Sequence, residues 1–185
     1  MFDVARLIAD CRAAVAEDPS HKAVREVLAG VIDNPAAILA GLGAPTHAGS
    51  HILHRSNEIT ILNLVWGPGM SIMPHDHRTW AVIGVYTGRE DNIFWRHTEG
   101  RDGREVEACG ARSLCAGDVA VLGRDIVHSV LNPIPRLTGA LHIYGGDFIA
   151  MERSEWDAET LREAPYDRDK VARLFEASNR ERVAA

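Results

Sequence analysis

Between residues 58 and 144 the chain is a succession of short β-branched and apolar runs, each closed by Gly, Pro or Asn, and this texture limits the folds open to it. Glu58-Ile-Thr-Ile-Leu-Asn-Leu-Val-Trp66 ends at Gly67-Pro68-Gly69, and the run from Thr79 to Tyr86 ends at Thr87-Gly88. Asp91 to His97, Val119 to Leu122, Ile126 to Leu131 and Leu137 to Tyr144 follow. Such strands predict a mainly β architecture, a sandwich or barrel. The flanks have helical texture. Val4, Leu7, Ile8, Cys11, Ala14 and Val15 form one apolar stripe, Pro19-Ser20 breaks it, and Val24, Val27, Leu28 and Val31 form a second. Asn34-Pro35 has the chemistry of a helix start and Gly43 that of a stop. The expected layout is a single unit over 1–185: helices in 1–46, a β-barrel in 47–150, and a helical segment in 151–185 with Val171, Leu174 and Phe175 on one side.

Composition narrows the function classes. A net charge of −6 with no basic run argues against nucleic acid as a partner. Cys11, Cys109 and Cys115 form neither a CxxC pair nor an even framework, and are expected as reduced thiols. The start of the chain lacks the pattern of a secretory signal, and no stretch is apolar enough to cross a membrane, so a cytoplasmic location without membrane partners is expected. The oligomeric state is not legible.

Nine histidines crowd the middle of the chain. His75 and His77 stand one residue apart in an apparent strand, where positions i and i+2 share a face. Neutral imidazole is the commonest protein metal ligand, and a close pair supplies much of a coordination shell. His128 lies 51 residues beyond His77, and His142 follows across the turn Asn132-Pro133-Ile-Pro135. A hairpin centred near residue 135 is expected to set His128 opposite His142, with Tyr144 on the same face.

Gly69, His75, His77 and Gly88 match the first cupin motif, G-x5-H-x-H-x3-E-x6-G, and Gly117, His128 and Asn132 match the second, G-x5-P-x-G-x2-H-x3-N. Gly123 and Asp125 replace the second motif's Pro and Gly. Within the cupins, His142-x-Tyr144 and the run His75-Asp-His77-Arg-Thr-Trp80-Ala-Val-Ile-Gly84 resemble the thiol dioxygenases, the 3-mercaptopropionate branch more than the mammalian cysteine enzyme. The similarity covers about residues 58 to 150. It implies a double-stranded β-helix (jelly-roll barrel) and a mononuclear Fe(II) site on His75, His77 and His128. It also implies outer-sphere roles for His142 and Tyr144, and oxygenation of a small, carboxylated thiol by dioxygen to a sulfinic acid.

Several departures from the family pattern bear on this reading. The first motif's Glu falls on Ala81, expected on the metal-facing side of a continuous strand, so three neutral ligands would leave a divalent ion its full charge and favour an anionic ligand. The Ser that usually precedes the family's His-x-Tyr pair is Ala140, truncating its Ser-His-Tyr relay. No Cys stands at Ala81–Val82 for a Cys–Tyr crosslink. The cysteine enzymes' carboxylate-binding Arg has Ala48-Gly49-Ser50 near its place, which leaves Arg55 as a nearby candidate and Arg153 as the one matching the 3-mercaptopropionate branch. Trp80 is expected in packing; Arg78 and Glu90 could pair or line the entrance, and are expected first as exposed, solvated charges. Two alternatives stand beside the dioxygenase: a zinc or manganese isomerase or lyase, and a non-catalytic ligand-binding cupin.

Overall fold

The computed structural model describes residues 2–98 and 104–184, with side chains described to residue 181. Three helices open the chain, α1 (Val4–Glu17), α2 (His21–Ile32) and α3 (Pro35–Leu42). Each starts on a side-chain cap: Asp3, Ser20 and Asn34 accept from Arg6, Lys22 and Ala37 N–H groups, and α3 carries Pro35 in its first turn. Nine strands follow: β1 (Gly49–Arg55), β2 (Ile59–Trp66), β3 (Ser71–Asp76), β4 (Ala81–Thr87), β5 (Arg89–His97), β6 (Val106–Cys115), β7 (Val119–Leu122), β8 (Val127–Leu131) and β9 (Thr138–Gly145). Two short strands, β10 (Ser154–Trp156) and β11 (Glu163–Pro165), precede α4 (Arg168–Ala184). Helix was expected from residue 151; instead the chain first pairs Glu155 against His75 on β3, and helix begins at Arg168.

The strands form two antiparallel sheets, ordered β1-β2-β9-β4-β7 and β11-β10-β3-β8-β5-β6. From β2 to β5, and again from β6 to β9, successive strands alternate between sheets, which is the winding of a double-stranded β-helix. The architecture is therefore the expected one. The expected His128–His142 hairpin is not: β8 and β9 lie in different sheets, and residues 132–137 carry the chain across the sandwich. Asn132 makes that crossing, its buried amide donating to the carbonyls of Trp66, Gly67 and Arg136 while its Oδ1 accepts from Thr138. Turn chemistry marks where a strand ends, and Asn132 decides which sheet the next one joins.

The first sheet is buried on both faces, which explains its nearly continuous apolar strands. Ile59, Ile61, Val82, Tyr86, Leu141 and Ile143 face the helical layer, with Leu7, Cys11, Leu28 and Ile32 against them. Leu62, Leu64, Trp66, Ala81, Ile83, Ala140 and Tyr144 face the second sheet. Phe175 of α4 joins this inner core, stacked on Trp66 with centroids 5.6 Å apart. The helical layer sits so close that a Cβ on Gly84 would meet Ile32 Cγ1 at 2.5 Å and Leu28 Cδ2 at 3.1 Å. Gly84→Ala should therefore cost about 1–3 kcal/mol of stability by overpacking, measured as a shifted denaturant midpoint at unchanged slope.

Candidate metal centre

His75 on β3 and His128 on β8 are directly paired positions of neighbouring strands. His77 follows β3, where the chain leaves the sheet through Arg78 at φ 55°. The strand thus ends before residue 79, so the expected continuous run from 75 to 81 does not exist. Ala81 faces the inner core for another reason: it opens β4, in the opposite sheet, paired with Tyr144. Its methyl group leaves that side of the site without a carboxylate.

His75, His77 and His128 bring ligand nitrogens within 4.8 Å of one another, all three side chains buried. Two have their proton positions set from outside. His75 Nδ1 lies 3.0 Å from the Met73 carbonyl, and His128 Nδ1 lies 2.7 Å from Asn92 Oδ1. A carbonyl can only accept, so His75 Nδ1 carries its proton and Nε2 keeps a lone pair. For His128 the same follows because Asn92 Nδ2 already donates to Glu90 Oε1 at 3.0 Å, turning the amide oxygen toward the ring. His128 Nε2 then faces His77 Nε2 at 3.0 Å. Lone pairs converging in a dry pocket fit a divalent cation, and the donor set is that of a three-imidazole site.

Burial holds His75 down at about 4, against the Met73 carbonyl's opposing pull. Desolvation and the neighbouring imidazoles hold His77 and His128 well below their usual range. All three are therefore neutral and ready to ligate near pH 7.

Around them lies a cavity of about 200 Å³, walled by apolar side chains such as Leu62, Ile72, Val130 and Phe175. His142 and Tyr144 reach it from β9 on the opposite sheet, with His142 Nδ1 3.1 Å from the Tyr144 hydroxyl. Burial pushes the Tyr144 phenol far up, so it stays protonated at rest. Tyr144 stacks on Phe148 at 3.7 Å between centroids. Arg153 lies with its guanidinium 4.0 Å from the centroids of both Phe148 and Tyr166, and its buried Nε and Nη1 have no hydrogen-bond partner.

The second candidate cation, Arg55, is corrected by the structure. It sits on β1 outside the cavity, its guanidinium exposed and held bidentately by Asp147 at 2.8 and 2.9 Å. Ser50, on the same strand, does reach the cavity wall. Trp80 packs, donating its indole N–H to the Pro19 carbonyl. Arg78 pairs with Asp76 at 2.6 Å.

Glu90, expected exposed, is fully buried. Along with Asn92, Phe148 and Tyr166 it was missed by the sequence reading. The signal for Glu90 and Asn92 is strand parity: they share a face with Phe94, which packs on the inner core.

No protein-family profile matches the chain. It is similar in structure to an uncharacterised conserved protein with a double-stranded β-helix domain from Klebsiella pneumoniae, at 16% identity over 68% of this chain and 90% of that one, TM-score 0.43. It is also similar to an RmlC-like cupin family protein from Methanocaldococcus jannaschii (10%, 58% and 86%, TM-score 0.46) and to an oxalate oxidase (15%, 57% and 54%, TM-score 0.43).

A pH dependence follows for the metal-free protein. Unfolded, each histidine titrates near 6.5; folded, His75 titrates at about 4 and the others lower than usual. The unfolded chain thus binds more protons in between, so stability is fully present above about pH 6.5 and falls as pH drops toward 4. Thermal melts at pH 7.5 and 5 should show a larger loss for the wild type than for His128→Gln.

Proposed function

We propose that this chain is a mononuclear non-haem Fe(II) dioxygenase that converts a small carboxylated thiol and O2 to the sulfinic acid. The reading is carried by one juxtaposition: a carboxylate-free set of three histidines shares an apolar cavity with a buried guanidinium that has unpartnered donors.

Buried donors without partners are costly, and Arg153 is pinned between two rings with Nε and Nη1 unmatched. A carboxylate matches that fork in geometry and charge. An acid anchored there places the rest of a short substrate among apolar walls, with its thiol toward the histidines. Three neutral ligands leave the charge of a divalent ion uncompensated, which favours binding the sulfur as thiolate. Ferrous iron, when bound, supplies the electrons that let a spin-paired thiolate react with dioxygen. The chain's own residues orient the acid, exclude bulk water and provide His142 and Tyr144 for proton movement. The balance is RSH + O2 giving RSO2H, with no further reductant. Within this proposal the protein works in the cytoplasm on a small molecule, without nucleic acid or membrane.

Anaerobic reconstitution with Fe(II), then oxygen uptake against cysteine, 3-mercaptopropionate, cysteamine and mercaptosuccinate, tests the reading. Uptake that depends on a carboxylated thiol is expected; no thiol-dependent uptake would sink it. Arg153→Gln should raise KM for the preferred acid about 10–100-fold, the loss of a charge-assisted pair. In metal analysis, His128→Ala should emerge without iron, whereas His142→Ala should keep iron and lose most turnover.

A further inference from the structure

Glu90 is an acidic side chain with no exposure, buried between the two sheets. Its surroundings explain how the charge is tolerated. Trp66 Nε1 donates to Oε2 at 2.7 Å, and Asn92 Nδ2 donates to Oε1 at 3.0 Å. His142 Nε2 lies 3.2 Å from Oε2. Burial pushes the carboxyl up, and the hydrogen bonds from His142, Asn92 and Trp66 oppose that push. An indole and an amide nitrogen can only donate, so both Glu90 oxygens act as acceptors.

We propose that Glu90 is the positioning residue of the His142–Tyr144 pair: it fixes His142 as the Nε2–H tautomer and so makes Tyr144 present an oxygen lone pair to the cavity. A bare Nε2 lone pair facing a carboxylate oxygen at 3.2 Å would be repelled, so that nitrogen carries the proton. In the neutral ring Nδ1 then holds the lone pair, and the Tyr144 hydroxyl 3.1 Å away must donate to it. Ala140, two residues earlier on the same inner face, offers no donor or acceptor to compete.

This orientation resembles the logic of a carboxylate–histidine–hydroxyl triad, in which the buried acid holds the ring in one tautomer and stabilises its protonated form. Combined with the thiol-oxygenation reading, on which this step rests, it gives the thiol proton a destination. The S–H bond breaks as its proton passes to the Tyr144 oxygen, while the proton Tyr144 already carried passes to His142 Nδ1. The products are a thiolate, a neutral tyrosine and an imidazolium facing Glu90. Electrons stay with sulfur, and no oxidant is consumed in this step.

The test begins with the metal-free wild type, using long-range 1H–15N spectra of the histidine side chains, with His142→Gln assigning the resonances. A neutral His142 protonated at Nε2 is expected; an Nδ1–H tautomer, or a ring protonated at both nitrogens at pH 7.5, overturns the proposal. In Glu90→Gln, the Nε2–H preference should give way to a mixture. After Fe(II) loading, its kcat per bound iron for 3-mercaptopropionate should fall about 10²-fold, with KM changed less than about threefold. Unchanged tautomer and kcat in that variant would also overturn it. A wild type with the expected tautomer but no thiol-dependent oxygen uptake would defeat the functional reading and leave the role of Glu90 standing.

Discussion

Three imidazoles crowded within 4.8 Å in the interior of a β-sandwich impose the condition that the rest of the site satisfies. Protonated, they would repel one another in a medium too dry to screen the charge. To hold a cation, each must turn a lone pair inward, with its proton on the nitrogen that faces away. The Met73 carbonyl does this for His75, and the Asn92 amide does it for His128. Asn92 is itself aimed by Glu90, whose other oxygen accepts from Trp66 and faces His142. A single buried carboxylate therefore sits behind both walls of the site, reaching His128 through Asn92 on one sheet and the His142–Tyr144 pair on the other.

The sandwich makes this arrangement possible. Alternation of strands between sheets puts His75 and His128 on one inner face and His142 and Tyr144 on the other, so the cavity lies between opposed faces instead of along a hairpin. Apolar side chains on both faces keep it dry, and α4 closes it with Val171 and Phe175. Arg153 is kept inside by ring stacking, which offsets desolvation and leaves Nε and Nη1 unpartnered. Those donors remain available to an anion.

Much of this was legible from residues alone. The starts of α2 and α3 and most of the β2–β9 strands follow from local chemistry, and the His75, His77 and His128 set follows from the resemblance to the two motifs. What failed was inference across distance. The Asn132–Pro135 turn predicts a hairpin because turn residues show only that a strand ends; the hydrogen bonds of Asn132 to Trp66 and Gly67, remote in sequence, tie the crossing to the other sheet. The parity argument for Ala81 reached the correct face through a strand that breaks at His77. Arg55 stands as a candidate by nearness in sequence, because nothing local reveals Asp147 as its partner. Glu90 looked like a solvated charge beside Arg89 and Asp91, yet those two neighbours pair with each other on the outer side while Glu90 turns inward.

The account stands most directly on where a metal ion binds. Crystals loaded anaerobically with Fe(II), and measured at the iron absorption edge, would locate the ion by its anomalous scattering. A single peak bonded to Nε2 of His75, His77 and His128, with Glu90 and His142 outside bonding distance, is the result this structure predicts. Iron bonded to His142 or to Glu90, or no iron among the three histidines, would contradict it.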